Sequence, residues 1–150
     1  MIYWFTGQPC AGKTTLARLL VDHFNKGYDK DWVYHIDGDD LRKLTSNVDY
    51  SKQGRINNIE TAQKIAHYLN NLKLYNKIVV SLVSPYREQR ENFKQLMGDN
   101  IKEFYIHTSE SRERESYKVN DYEPPVSNFI DIDTTNIDPE DSLIEIIKHL

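Results

Sequence analysis

The sequence is poor in the features that mark secreted, membrane-embedded or nucleic-acid-bound chains. It has one cysteine, Cys10, so no intrachain disulfide can form, and a reducing, cytoplasmic compartment is expected. Its longest apolar stretch, around Ile78 to Val83, is far too short to span a bilayer. No basic segment precedes an apolar one in the opening residues, so no signal peptide is expected. There is no lysine- or arginine-dense stripe and the formal net charge is −4, a poor match for nucleic acid or a membrane surface. No internal repeat or low-complexity linker interrupts the 150 residues, a length that suits one domain, 1–150, with a real core.

What is present is local and specific. Residues Gly7-Gln8-Pro9-Cys10-Ala11-Gly12-Lys13-Thr14 spell G-x-x-x-x-G-K-T, followed by Thr15. An apolar, β-rich run, Ile2 to Thr6, leads into it, and a helical pattern beginning at Lys13 leads out. This is the setting of a phosphate-binding loop, in which glycines let backbone N–H groups wrap a phosphate at a helix N-terminus. Lys13 is expected to reach the β- and γ-phosphates of bound ATP, and the Thr14 hydroxyl to ligate Mg²⁺. A tight turn that merely joins strand to helix would need neither residue. Cys10 reads as a small filler within the loop, with a redox-sensitive thiol as the bolder alternative.

Strand-like and helical runs then alternate. Strands are expected at Ile2–Thr6, Trp32–Ile36, Ile78–Val83, Glu103–His107 and Phe129–Ile132. Helices are expected at Lys13–Phe24, Ile56–Leu72, Arg87–Met97 and Pro139–Leu150. Ile59, Ala62, Ile65, Ala66 and Leu69 form an amphipathic stripe, and Asp138-Pro139 is a helix-start signal. The alternation implies an α/β fold of the P-loop NTPase type: a five-stranded, mostly parallel sheet with helices on both faces. Ligands in such sheets bind beyond the carboxyl ends of the strands.

The strand ends therefore carry the candidate chemistry. After the second strand comes Asp37-Gly38-Asp39-Asp40-Leu41-Arg42. Its carboxylates would face the phosphates, holding Mg²⁺ through water or taking the proton from an attacking hydroxyl. Arg42 offers a forked donor for an anionic oxygen. A helix cap at Asp39 or Asp40 is the plainer reading, but a cap needs only one carboxylate. After the third strand come Ser84 and then Arg87 and Arg90, one helical turn apart; they close over an anionic substrate or form an exposed basic face with Lys94. Tyr50, Arg55 and Asn58 share a loop-to-helix segment suited to stacking on a base and holding its sugar-phosphate, although Tyr50 also suits simple packing. The run from Ser109 to Lys118 is dense in charge and reads either as a lid that excludes water or as a solvated segment.

Taken together, G-x-x-x-x-G-K-T-T, I-D-G-D-D-x-R, G-R-x-x-N-I, S-P-Y-R and Y-E-P-P resemble adenylylsulfate kinase over nearly the whole chain, from Ile2 to Leu150. The resemblance implies transfer of the ATP γ-phosphate to the ribose 3′-hydroxyl of adenosine 5′-phosphosulfate. It implies catalytic roles for Lys13, Asp37, Asp39 and Ser84, and an ATP site of Gly7 through Thr15 with Arg114. It implies an acceptor site of Asp39, Arg42, Tyr50, Arg55, Asn58, Ser84 and Arg87, and Mg²⁺ at Thr14 with Asp37 ligating through water. Ser84 falls on a serine described in that family as a phosphorylated intermediate, although direct in-line transfer is simpler. The resemblance also allows for a homodimer. Two departures stand out: Asp40 replaces an asparagine, and only Val119, Asn120 and Asp121 separate Tyr117-Lys118 from Tyr122-Glu123-Pro124-Pro125 where the family has a lysine-rich lid.

That shortened lid keeps other acceptors in view, among them a cytidine nucleotide derivative. A polynucleotide 5′-kinase is suggested by Asp39-Asp40-Leu41-Arg42 but disfavoured by the acidic balance. A GTPase-like switch lacks its elements: no glycine has aspartate three positions earlier, and Asn76-Lys77 is followed by Ile78-Val79.

Overall fold

A computed structural model describes residues 1–26, 32–73, 75–111 and 118–150. Its five strands are β1 (Ile2–Thr6), β2 (Val33–Asp37), β3 (Lys77–Ser81), β4 (Ile101–His107) and β5 (Ile130–Asp133). Five α-helices accompany them among the described residues: α1 (Lys13–Asn25), α2 (Gly38–Thr45), α3 (Lys52–Leu72), α4 (Arg87–Met97) and α5 (Pro139–Ile147). The strands lie in the order β2-β3-β1-β4-β5. Every pairing is parallel, so the sheet is more uniform than the mostly parallel one expected.

Strand side chains alternate between the two faces, and that period of two divides the core. Ile2 and Trp4 of β1 join Ile78 and Val80 of β3 beneath Ile59, Ala62 and Ala66 of α3 and Phe93 and Met97 of α4. Tyr3 and Phe5 turn to the opposite face, where they meet Leu16, Leu20 and Phe24 of α1 and Ile146 of α5. β1 is buried along its whole length, as a central strand between β3 and β4 must be. Among the described residues, no helix is long and apolar enough to cross a membrane.

Three local signals shape the elements that carry the site. The Asp37 side chain accepts hydrogen bonds from the amides of Asp39 and Asp40 and so caps α2. The expected acidic turn is therefore the first turn of a helix, and its cap is Asp37, not Asp39 or Asp40. Ser51 caps α3 by accepting from Gly54 N at 3.2 Å, which starts that helix at Lys52, ahead of the expected Ile56. Asp138 caps α5, with Pro139 in its first turn.

Candidate active site

The carboxyl ends of β1, β2 and β3 open into one cleft of about 450 Å³. The loop after β1 forms one side of it. Gly7 has φ 148°, and a Cβ there would meet Ile106 O at 2.0 Å, so no other residue fits. Gly12, at φ 101°, turns the chain directly into α1. Thr134 Oγ1 donates to Ala11 O at 3.1 Å and ties the loop to the end of β5. Lys13 is buried, and its ammonium donates to Gln8 O at 2.6 Å. Burial lowers its pKa to about 8, against the opposing pull of Cys10, Asp39 and Asp37.

Asp37 is the electrostatic hub facing that loop. Its Oδ2 accepts from Thr14 Oγ1 at 2.8 Å and from Ser81 Oγ at 2.9 Å. Its Oδ1 accepts from Asp39 N at 3.0 Å and Asp40 N at 3.4 Å. Burial pushes the carboxyl up, but these four donors outweigh it and hold Asp37 below the ordinary aspartate value. His35 Nε2 lies 2.9 Å from Ser81 Oγ behind this pair. Because Ser81 gives its proton to Asp37, the His35 nitrogen is the donor in that contact. Burial lowers the His35 pKa, which keeps the ring neutral.

The cleft is further lined by Asp39, Arg42, Tyr50, Arg55, Asn58 and Ser84. The Arg42 guanidinium lies 4.3 Å from the Tyr50 ring centroid, and its Nη1 donates to Asn47 O, Asn47 Oδ1 and Asp49 O. Arg55 Nε donates to Tyr50 O at 3.0 Å. Both arginines thus hold Tyr50, Arg42 at its exposed ring and Arg55 at its backbone carbonyl. Asn58 Nδ2 donates to Gly38 O at 3.3 Å, while its buried Oδ1 has no partner among the described residues. The same is true of Ser84 Oγ, on a residue held at φ 43°. Buried polar atoms are normally satisfied, so two orphans on one cleft wall mark where a ligand would complete the bonding.

Not every expected residue reaches this cleft. Pro9, Cys10, Lys13 and Thr14 line it, but the side chains or Cα atoms of Gly7, Gln8, Ala11, Gly12 and Thr15 are not part of that lining. Arg87 lies off the lining, with Nε donating to Pro124 O at 3.0 Å. Arg114 lies outside the described residues, as does most of the charged run from Ser109 to Lys118. Asp40 pairs with Lys43 at 2.8 Å on the surface. Arg90 does not form a basic face with Arg87: it is buried, and its Nε donates to Glu103 Oε1 at 2.7 Å.

Sequence reasoning missed Ser81 and His35. Ser81 pairs in register with Asp37 across β2 and β3, so a serine at the end of an apolar strand beside an aspartate was the available signal. Among the described residues, no group of three or more His, Cys, Asp or Glu could hold a metal ion. The oxygen donors of Thr14 and Asp37 nevertheless suit a hard cation that takes its remaining ligands from phosphate and water. A threonine hydroxyl has one proton and two lone pairs, so Thr14 can keep its bond to Asp37 and still present a lone pair to such an ion.

Residues 1–141 match the sequence model of the family described as Adenylylsulphate kinase. The chain is 30% identical over 165 aligned positions to the adenylyl-sulfate kinase of Picosynechococcus sp., covering 98% of this chain and 91% of that protein. It is also 30% identical over 148 positions to the cytidine diphosphoramidate kinase of Campylobacter jejuni, covering 95% of this chain and 84% of that one. The Mycobacterium tuberculosis APS kinase solved in complex with AMPPNP and APS shares the fold, with a TM-score of 0.81 at 20% identity over 98% of this chain and 95% of that one.

Proposed function

The chain belongs to the adenylylsulphate kinase family, kinases that phosphorylate a hydroxyl group, and from that premise we propose that it moves the γ-phosphate of ATP onto the 3′-hydroxyl of adenosine 5′-phosphosulfate. The observation that carries the reading is the single cleft in which Lys13 and Thr14 face Asp37 and Asp39, with Arg42, Arg55, Asn58 and Ser84 on the far wall.

In this reading Lys13 and the loop amides hold the β- and γ-phosphates and stabilise the charge that builds on them. Thr14 and Asp37 would hold Mg²⁺, and that ion would neutralise charge on the phosphates. Asp39 accepts the proton of the acceptor hydroxyl. The hydroxyl oxygen bonds to the γ-phosphorus as the bond to the ADP oxygen breaks, in line and without a covalent stop at Ser84. Tyr50 stacks on the acceptor base, while Arg42 and Arg55 take its anionic 5′ group. Asn58 Oδ1 and Ser84 Oγ, both without a partner among the described residues, complete their bonding on the bound acceptor. A cytoplasmic setting, where ATP is available and Cys10 stays reduced, belongs to the same proposal.

One observation favours a second acceptor. The Picosynechococcus alignment runs over 165 positions, longer than this 150-residue chain, so that relative carries segments absent here. The alignment with the Campylobacter jejuni cytidine diphosphoramidate kinase runs over only 148. A cytidine nucleotide with a modified diphosphate would present the same pattern of base, ribose hydroxyl and 5′ anion to this cleft. The test is an acceptor screen with Mg²⁺-ATP, comparing adenosine 5′-phosphosulfate with cytidine 5′-diphosphoramidate and following ADP release and the phosphorylated product. A 3′-phosphorylated product from the adenosine compound supports the first reading. Product from the cytidine compound alone overturns it in favour of the second.

A further inference from the structure

The phosphate loop is bonded to the acceptor side of the protein through a side chain that no phosphate contact requires. Gln8 Nε2 donates to Val119 O at 3.0 Å, and Val119 N donates back to Gln8 Oε1 at 3.0 Å. The glutamine amide thus pairs with the backbone N–H and C=O of one residue, as a residue on a neighbouring antiparallel strand would. Val119 is buried although it belongs to no strand or helix, and Gln8 is half-buried against it.

From Val119 the chain runs to Pro124 as a strap fastened at Val119, Tyr122, Glu123 and Pro124. Tyr122 N donates to Val119 O at 3.2 Å, and Tyr122 Oη meets Thr6 Oγ1 at 3.0 Å. Glu123 N donates to Pro85 O at 2.9 Å, and the Glu123 carboxylate accepts from Arg87 N at 2.7 Å at the start of α4. Arg90 then joins the strap to the cleft wall: its Nη2 donates to Glu123 O and its Nη1 to Ser84 O, each at 2.6 Å. A continuous bonded route runs from Gln8 through Val119 and Glu123 to Ser84.

Lys13 acts on the same residue through its backbone, since its ammonium donates to Gln8 O at 2.6 Å. A triphosphate that draws Lys13 onto its own oxygens alters the bonding of the residue that holds the strap. We propose that Gln8 is a positioning residue that couples the triphosphate site to the acceptor wall through the strap Val119–Pro124. This coupling rests on ATP occupying the phosphate loop and is independent of which acceptor is phosphorylated.

The test is hydrogen exchange of backbone amides in the full chain, with and without Mg²⁺ and the ATP analogue AMPPNP. The variants are Gln8→Leu, which removes both bonds, and Gln8→Glu, which accepts from Val119 N but has no proton for Val119 O. In the wild type, AMPPNP is expected to slow exchange at Gly12–Thr14 and, severalfold, at Val119–Glu123. In Gln8→Leu the slowing should stop at the phosphate loop, and Gln8→Glu should fall between the two. The Glu variant also carries the comparison if the Leu variant folds poorly. Slowing at the loop that never reaches the strap, or that reaches it equally in Gln8→Leu, overturns the coupling alone. No slowing at the loop overturns triphosphate binding and the coupling with it.

Discussion

Thr14 and Asp37 lie 23 positions apart in sequence and are joined by a hydrogen bond of 2.8 Å. The bond ties the first turn of α1 to the end of β2, and Ser81 at the end of β3 donates to the same carboxylate oxygen. One aspartate thus closes three strand-end segments into a single site.

Replacing it tests that closure. Asp37→Asn keeps one oxygen for the amides of Asp39 and Asp40 but turns an NH₂ group towards at least one of the two hydroxyl donors. The loss should be about 2 kcal/mol of folding stability near neutral pH, read by urea unfolding. The sign with pH follows from the depressed carboxyl. Its stabilisation is present above the unfolded value of about 3.8 and is lost as pH falls through the lower folded value. The gap between wild type and variant should therefore narrow in acid. A gap that widens in acid would contradict the assignment of these bonds.

Lys13 makes two predictions of opposite sign. With its folded pKa near 8 and an ordinary value of 10.5, the unfolded chain holds a proton between those limits that the folded chain has released. Stability of the free protein should rise with pH across that window, with the burial penalty fully present below it. A triphosphate wants the charged form, so AMPPNP affinity should fall above pH 8, by up to about tenfold per unit. Calorimetric titrations at pH 7 and pH 9 check the second effect, and loss of the stability slope in Lys13→Met checks the first. Affinity that is flat across this range would place the ammonium elsewhere.

The buried pair of Arg90 and Glu103 predicts a large single-mutant cost. In Arg90→Met the Glu103 carboxylate keeps only Lys94, whose Nζ lies 2.6 Å from Oε2. Ser84 O and Glu123 O lose a donor as well. A destabilisation of about 3 kcal/mol is expected. Adding Glu103→Leu removes the stranded charge and should recover part of it, leaving the carbonyl cost behind. Full recovery in the double variant would show that the two carbonyl contacts contribute nothing to stability.

Arg90 also shows where sequence reading ends. It lies three residues after Arg87, a spacing that puts two residues on adjoining parts of one helix face but does not say which side chain turns inward. Only packing on β4 decides that Arg90 meets Glu103 while Arg87 meets Pro124. The parallel sheet, by contrast, was legible because strand and helix periods alternate and a phosphate loop follows the first strand. α2 was not: its eight residues bury only Gly38 and Leu41, too few for a helical stripe. Asp37 and Asp39 were legible as strand-end carboxylates, but the register that seats Ser81 beside Asp37 is a long-range fact. The Gln8–Val119 pair spans 111 positions and has no local signature at all.

Asp39 offers the sharpest functional prediction. Its amide is fixed by Asp37, while its carboxylate lines the cleft near enough to Lys13 to favour the charged ammonium. A group placed to take a hydroxyl proton contributes to the chemical step far more than to nucleotide binding. Asp39→Asn preserves shape and removes the base. Turnover should fall by about a hundredfold or more, while AMPPNP affinity changes by no more than about twofold. Steady-state kinetics with the accepted acceptor, alongside an AMPPNP titration, separates the two effects. A variant that turns over as fast as the wild type would assign the proton transfer to another group, and Asp37 would be the next to replace.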